Sequence, residues 1–445
     1  MERTCAGGTN RTPAWDEGDM RESMAEECCR ISVNCRTPFR IAIPYLLVVE
    51  QQLPLFRDKR GQVFVDDLWH KDLLMHLGYI DHLMIAAPCR FQEPPPDAKP
   101  LSATSAEIIE LPAQKGFWHS LRVMPTIVLR LSRAVRRAGI VHSAIAGWPI
   151  PMGWVVTPLA LMFRKPLVII VESAPWRLQH GHGAGWKKRA RALLQEFLGR
   201  WVLRNAALVI CTQDEYCQSL LGPKRMHGFV IPASWIDESN ILPEYVAEDL
   251  WQQKLSASDS RLRILFVGRL VPAKGVLILL EAMQRLSIEA VPIALHILGE
   301  GPLKGQCELV ASELRSVTTV TLLGTVAYGA PLFEMIRGYD AVVVPSISDE
   351  QPRIVFDAYS QAVPILASDT PGLRSCVKSG ELGLFAAPND VSGLADLLRY
   401  AAGHRSELGR LGLQSLTYAH RMTHQEMHRQ RATLLQAMMD KRKEG

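Results

Sequence analysis

The 445-residue sequence lacks an apolar run long enough to cross a bilayer. Its longest, Pro149 to Phe163, is interrupted by Pro151, Gly153 and Pro158 and stops at Arg164, short of the roughly 20 residues a spanning helix needs. Residues 1–38 lack the continuous apolar core of a secretory signal. They carry Asp16, Glu17, Asp19, Glu22, Glu26 and Glu27 among arginines and read as a disordered extension. The nine cysteines include no C-x-x-C pair and no zinc-type spacing, which points to reduced thiols in a cytosolic protein. Charge of one sign barely prevails: 50 Lys+Arg against 45 Asp+Glu leave +5, too little for a dedicated nucleic-acid binder. Low complexity is confined to Pro94-Pro95-Pro96, which reads as a stiff surface loop.

What the sequence does hold is an ordinary globular composition, 48% hydrophobic and 21% charged, in a chain long enough for two or three domains at roughly 100–200 residues each. Runs rich in Val, Ile and Leu recur at Phe39–Pro44, Leu83–Ala87, Ile140–His142, Leu167–Val171, Leu208–Cys211 and Phe229–Ile231. Helix-length stretches such as Trp186–Leu203 separate them, which predicts βα units around a parallel sheet over residues 39–235. Residues 236–261 turn polar and irregular and read as a linker. A second series predicts strands at Ile264–Val267, Ala294–Leu298, Val320–Leu323, Ala341–Val344 and Pro364–Ala367, with helices at Gly275–Leu286, Leu303–Leu314 and Arg353–Gln361. That is a second α/β domain over 262–415. Residues 416–445 read as terminal helices returning toward the first domain. Open parallel sheets bind ligands at the carboxyl ends of their strands, so two such domains facing one another enclose a cleft.

The densest chemistry lies in Val267-Gly268-Arg269-Leu270-Val271-Pro272-Ala273-Lys274-Gly275, a strand running into a glycine-bounded loop with two cations before a helix. Helix N-terminal amides with a guanidinium and an ammonium suit a diphosphate. A surface loop with two solvated cations is the plain alternative. After Ala341–Val344 comes Pro345-Ser346-Ile347-Ser348-Asp349-Glu350-Gln351-Pro352-Arg353-Ile354-Val355-Phe356-Asp357-Ala358. Asp349 falls in the loop and Asp357 inside the next helix, eight residues on, so both carboxylates are expected to face one strand-end cleft. Carboxylates fix sugar hydroxyls by charge-assisted hydrogen bonds, although an acidic loop before a helix also serves simply as a cap.

Together with Leu298-Gly299-Glu300-Gly301-Pro302, Leu323-Gly324, Val344-Pro345-Ser346, Pro364-Ile365-Leu366-Ala367-Ser368-Asp369 and then Gly372, Gly380 and Gly383, these pieces resemble the GT-B retaining glycosyltransferases. The resemblance is to glycosyltransferase family 4, or glycosyl transferases group 1, which includes bacterial mannosyl-, galactosyl- and glucosyltransferases. It implies an α/β, GT-B fold of two facing Rossmann-like domains with a cleft between them. It also implies transfer of a hexose, with retention, from a nucleoside-diphosphate sugar to a hydroxyl. By this resemblance Arg269 and Lys274 neutralise the donor diphosphate, Asp349 holds sugar hydroxyls and Asp357 contacts the ribose. Glu350, Gln351, Pro352, Arg353 and Ile354 would lie along phosphate and sugar, with backbone amides from 350–353, while Gly268, Gly299, Gly301 and Gly324 line the donor and base pocket. Both acids of the family's E-x7-E pattern are aspartates here, each one methylene shorter. Ile140-Val141-His142-Ser143 resembles the family's strand-end histidine on the acceptor side; a hydrogen-bonded core histidine is the plain alternative. The family's first-strand glycine loop is missing, since Ile41 to Arg60 contains no glycine. No metal or other cofactor is implied, because protein cations do its work.

Three further segments carry weaker signals. His180-Gly181-His182-Gly183 supplies two metal-ligand side chains but no third, and reads as a flexible loop over the cleft. Glu172-Ser173-Ala174-Pro175-Trp176-Arg177 follows a strand and reads either as a segment touching acceptor or, the better reading, with Trp176 as ordinary packing. Residues 186–203, opening Trp186-Lys187-Lys188-Arg189-Ala190-Arg191, read as a basic helix. It either lies on an anionic membrane, as a lipid-linked saccharide acceptor would require, or faces the core with a solvated basic side. The setting expected from these readings is surface or exopolysaccharide assembly by a cytoplasmic or peripheral enzyme with no nucleic-acid partner. A nucleotide-sugar epimerase and a catalytically weak homologue acting as a partner subunit stay open as alternatives.

Overall fold

Two largely parallel sheets organise the chain, and the strands at the centre of each, such as Tyr45–Val48 and Ala341–Val344, are buried along their length. The computed structural model describes residues 40–101, 104–177, 185–222, 227–258, 260–314 and 317–444. The extension 1–38 and the His180–Gly183 segment lie outside these. In the first sheet the central strand Tyr45–Val48 is buried along its whole length. It pairs in parallel with Leu83–Phe91 on one side and Ile140–Ala144 on the other, with Leu47 opposite His142. Beyond Ile140–Ala144 follow Leu167–Val171, Leu208–Cys211 and Gly228–Val230, all parallel. Continuous runs of Val, Ile and Leu are what a strand covered by helices on both faces needs.

The first strand begins at Tyr45, not within Phe39–Pro44. Pro44 has no N–H to donate into a ladder, and Ile41 makes only an isolated bridge to Ile80. Between Tyr45–Val48 and Ile140–Ala144 the chain also builds an antiparallel excursion that the apolar runs do not announce. Leu55–Arg57 pairs with Val63–Val65, and Val63–Val65 with Lys99–Pro100, while Glu107–Pro112 adds a parallel strand beside Leu83–Phe91. These strands are two to six residues long, and all but Val63–Val65 carry charges or proline, as sheet edges commonly do.

The second sheet runs in the order Thr319–Gly324, Ile293–Leu298, Leu262–Val267, Ala341–Val344, Ile365–Ser368, Gly383–Ala386, parallel throughout. This is a doubly wound arrangement whose strand order reverses between Leu262–Val267 and Ala341–Val344, and ligands bind at the carboxyl ends beside such a reversal. In the first sheet the reversal falls between Tyr45–Val48 and Ile140–Ala144.

The 236–261 stretch is more than a connector. It holds the helix Glu244–Ser256, whose Trp251 is 3% exposed and joins the core of the second sheet. The Trp251 indole donates to the Ala362 carbonyl at 2.8 Å. With only Ala247 and Trp251 buried along it, the helix has almost no apolar stripe to reveal it in sequence. The chain closes with helices Val391–Gly403, Arg405–Ala419 and His424–Glu444. The last of these reaches the helix Asp67–Leu77 beside the first sheet through His424 and His428 against Asp72. Cys89, Cys307 and Cys376 are buried thiols.

Trp251 needs bare backbone beneath it: a Cβ on Gly412 would stand 2.2 Å from the Ala362 carbonyl oxygen and 2.9 Å from the indole nitrogen. Gly412→Ala is therefore expected to lower the unfolding free energy by about 1–3 kcal/mol, the usual range for overpacking. Gly403→Ala, whose Cβ would meet nothing within 4 Å, should leave it unchanged. Urea titration of the two variants makes the comparison.

Candidate functional site

The carboxyl ends of the second sheet are laced together backbone to backbone. The Gly268 amide donates to the Leu298 carbonyl at 3.0 Å, Gly299 to Gly324 at 2.6 Å and Leu270 to Glu300 at 2.9 Å. Such approach leaves no room for side chains: a Cβ on Gly299 would lie 1.9 Å from the Gly268 oxygen, and one on Gly301 2.5 Å from the Leu270 oxygen. The four glycines Gly268, Gly299, Gly301 and Gly324 are thus brought to one place, at the ends of three adjacent strands. After Arg269, which is exposed, a single 3-10 turn Pro272–Lys274 leads to Gly275 in the left-handed conformation at φ 70°. A Cβ there would sit 1.8 Å from the Pro345 carbonyl oxygen. That contact holds the Lys274 loop against the loop that follows Ala341–Val344.

Residues 345–353 form that second loop, and both lobes hold it. Within its own lobe, Gly372 lets the backbone carbonyls of Asp349 and Glu350 approach closely, since a Cβ would meet them at 2.4 and 2.5 Å. From the first lobe, the Gln213 side-chain amide donates to the Asp349 carbonyl at 2.8 Å, and the Ala233 amide donates to the Gln351 side chain at 3.0 Å. The Arg353 guanidinium lies over the Trp235 ring at 4.7 Å and 3.9 Å from the Glu172 carboxylate. Lys274 reaches the Glu350 carboxylate at 3.5 Å, so the loop's two expected donor-side members already touch. Of the residues 350–353 expected to offer amides, Pro352 has no N–H to give.

The two aspartates occupy different surroundings. Asp349 is exposed on the loop, whereas Asp357, in the helix Ile354–Ser360, is 4% exposed and accepts from the Tyr328 hydroxyl at 3.0 Å. Burial pushes the Asp357 carboxyl up to about 7, against the lowering influence of the Tyr328 bond and the charges of Arg353 and Lys71.

A cleft of about 820 Å³ opens on the carboxyl ends of the first sheet, walled in part by Glu50, His142, Trp148 and Glu172, with Arg353 from the second lobe and Arg431 from the last helix. His142 and Arg353 face this space. Arg269, Lys274, Asp349, Asp357 and the glycines lie outside its lining, at the neighbouring strand ends. His142 is 6% exposed, its Nδ1 paired with the Tyr45 hydroxyl at 2.9 Å. Burial, with the charges of His76 and Arg431, holds its imidazole well below the ordinary histidine range, so it is neutral. Trp176 is buried and donates to Glu196 at 2.8 Å, and with Glu172, Ser173 and Pro175 it also lines the cleft.

Glu50 went unnoticed in the sequence, and it occupies the turn where a glycine loop was missing. Its carboxylate accepts from the Met152 amide at 2.9 Å, at the start of the helix Met152–Met162, which has no side-chain cap of its own. Burial raises its carboxyl to about 8. Gly147 is tight against it, since a Cβ would come within 2.0 Å of the free carboxylate oxygen. The only sequence signal was a carboxylate directly after the apolar run Tyr45–Val49.

Comparison with known proteins follows the same division. Residues 261–403 match the family described as glycosyl transferases group 1. The EpsF protein of Bacillus subtilis, which carries a glycosyltransferase name, is 28% identical over 211 residues, covering 45% of this chain and 53% of that protein. TuaC of the same organism, named for teichuronic acid biosynthesis, is 30% identical over 144 residues, 32% of each chain. The chain thus spans about half or less of the length of these relatives. Among solved structures, Anabaena Alr3699/HepE in complex with UDP superimposes with a TM-score of 0.62 at 16% identity, over 89% of this chain and 100% of that one. The same protein in complex with UDP-glucose gives 0.59. The two-sheet architecture is the GT-B fold.

Because Asp357 keeps its proton to about pH 7 when folded but ionises near 3.8 when unfolded, the native state binds more protons between those values. Its contribution therefore lowers stability as pH rises through that window. Asp357→Asn keeps an acceptor for Tyr328 and removes the titration. The drop in unfolding free energy from pH 4.5 to pH 7.5 should be smaller in the variant than in wild type, by urea titration at both pH values; equal drops would mean that Asp357 is ionised in the fold.

Proposed function

Residues 261–403 being a glycosyl transferases group 1 domain within a GT-B fold, we propose that the protein is a retaining glycosyltransferase moving a hexose from a nucleoside-diphosphate sugar to a hydroxyl of a saccharide acceptor. The observation that carries this reading is the pairing of two strand-end sites. One is a cationic, glycine-laced loop at Gly268–Gly275, and the other is the cleft beneath His142, joined to it by the loop 345–353.

In this reading the diphosphate lies on the amides opening the helix Val276–Ile288, which has no side-chain cap, with Arg269 and Lys274 neutralising its charge. Among the described residues, Glu350 is the carboxylate that Lys274 meets, at 3.5 Å and partly exposed. Such a pair is weak, and a diphosphate displaces it readily. Asp349 then holds sugar hydroxyls, Asp357 faces the ribose, and Gly299, Gly301 and Gly324 leave flat backbone for the base. As the glycosidic bond breaks, charge grows on the departing phosphate, where the two cations stabilise it without a metal. The acceptor hydroxyl attacks from the cleft on the same face, past His142, and gives its proton to the departing diphosphate oxygen, giving retention without a covalent intermediate. A neighbour of the same fold is named in complex with UDP-glucose, which favours a uridine donor.

The acceptor we propose is lipid-linked, in surface polysaccharide assembly at the cytoplasmic face of a membrane. The helix Trp186–Arg204 leaves Trp186, Leu193, Leu194 and Phe197 exposed beside Lys187, Lys188, Arg189 and Arg191, the composition of an interfacial helix. Lys188, Arg191, Ala192 and Gln195 of this same helix line the cleft, so a carrier held on its outer side would present its headgroup to the site. No helix among the described residues is long and apolar enough to cross a membrane.

Incubation with UDP- and GDP-hexoses tests the chemistry. Arg269→Ala and Lys274→Ala should each cut transfer or slow donor hydrolysis by about 100- to 1000-fold, the scale of one lost transition-state donor, with an unchanged melting temperature. Unchanged turnover, or an epimerised donor in place of transfer, removes the reading. For the membrane, neutralising Lys187, Lys188, Arg189 and Arg191 together should weaken binding to acidic vesicles by roughly a thousandfold, at about 1 kcal/mol per charge. Co-sedimentation indifferent to acidic lipid would instead assign the helix a soluble role.

A further inference from the structure

At the cleft wall, which Asp72 helps to line, three ligand-type atoms converge where the last helix meets the first lobe. The Asp72 carboxylate oxygen Oδ1 lies 3.2 Å from His424 Nε2 and 3.0 Å from His428 Nε2, and the two Nε2 atoms are 3.2 Å apart. Asp72 stands on the helix Asp67–Leu77; the two histidines are four residues apart on the helix His424–Glu444, on one face of it. His424 and His428 are 0% and 3% exposed.

Hydrogen bonds alone satisfy this triangle poorly. If both Nε2 atoms carry protons toward the one carboxylate oxygen, two N–H groups face each other at 3.2 Å. If one does not, a buried imidazole turns a lone pair toward an ionised oxygen. A tetrahedral cation with bonds of roughly 2.0–2.2 Å to each atom holds its ligands about 3.3–3.6 Å apart, a few tenths of an ångström beyond the 3.0–3.2 Å seen here. The surroundings suit ligation. The Tyr79 hydroxyl meets His428 Nδ1 at 3.3 Å, the outer partner that a ligating histidine uses to fix its ring. His424 Nδ1 is buried with no hydrogen-bond partner among the described residues, so without a cation the Asp72 carboxylate at 3.2 Å draws the ring proton to Nε2. The other Asp72 oxygen faces His76 Nδ1 at 3.3 Å, leaving Oδ1 to the triangle. Arg431 Nη1 is 3.9 Å from Oδ1, too far for a hydrogen bond, and its positive charge opposes a second cation.

We propose that Asp72, His424 and His428 form a site for a zinc-class divalent cation, which pins the last helix to the first lobe. Two imidazole nitrogens and one carboxylate oxygen are a zinc-type donor set, with water completing the coordination. The ion would close a loop of more than 350 residues, Asp72 to His424 being 352 apart, and has no part in neutralising the diphosphate.

The full chain, freed of metal by chelator dialysis, would be titrated with Co²⁺ followed by visible absorption, then with Zn²⁺ followed by calorimetry and thermal unfolding. The expected result is one equivalent of Co²⁺ with visible bands that Zn²⁺ displaces, and a higher melting temperature with Zn²⁺. His428→Gln should weaken Zn²⁺ binding by at least about 100-fold, and Tyr79→Phe, which touches no ligand atom, by roughly 10-fold. Arg431→Gln should tighten it. A silent Co²⁺ spectrum on the wild-type chain overturns the proposal whether or not the variants fold. So does stoichiometric binding that survives His424→Gln with His428→Gln, in particular if it is then lost with His180→Gln and His182→Gln.

Discussion

Close approach of bare backbone at the strand ends is the constraint on which the rest of this structure depends. Gly299 sits against the Gly268 carbonyl, Gly275 against that of Pro345, and Gly372 against those of Asp349 and Glu350. A methyl group at any of these positions would overlap a carbonyl that has no slack, because each carbonyl belongs to a loop anchored to a buried strand. The loops after Leu262–Val267, Ile293–Leu298 and Ala341–Val344 therefore have one arrangement. That arrangement sets Arg269, Lys274 and Asp349 at the strand ends beside the sheet's order reversal. Preorganised charge of this kind is what transfer of a group away from phosphate needs, which is why the proposed chemistry is placed here.

The second organising element is the loop 345–353, which belongs to one lobe and is held by the other. Gln213 and Ala233 fix its backbone and its Gln351, while Arg353 rests on Trp235 and faces Glu172. Any change in the angle between the lobes must break or carry these contacts. The Lys274–Glu350 pair, by contrast, joins two exposed or half-exposed groups at 3.5 Å and yields to a better anion. The rigid contacts thus lie between backbone and cross-lobe side chains, and the replaceable one lies where the donor is proposed to enter.

Legibility in the sequence followed locality. The strands at Leu167–Val171, Leu208–Cys211 and Ala341–Val344 have the expected limits, since buried parallel strands are continuous apolar runs. The edge strands Leu55–Arg57, Val63–Val65 and Lys99–Pro100 were invisible because two or three residues are too few to make a periodic pattern, and the first and last also carry charge or proline. The helix Glu244–Ser256 was hidden for a related reason: one tryptophan carries most of its burial. Gly268, Gly299, Gly301 and Gly324 were each identifiable, but that they interlock was not.

What the sequence determined by itself is most of the second lobe: five of its six strands, their glycine-bounded loops and the helices that follow the first, second and fourth fall within short stretches that local pattern suffices to read, while Gly383–Ala386 escaped it. Tertiary structure alone decided the first lobe's cleft. Glu50 meets Met152 across 102 residues and Gln213 meets Asp349 across 136, and Asp72 meets His424 and His428 only because the last helix returns. The burial that pushes the Asp357 carboxyl up to about 7 and that of Glu50 up to about 8 comes from the same packing. Desolvation depends on everything that surrounds a side chain, and no window of sequence contains its surroundings.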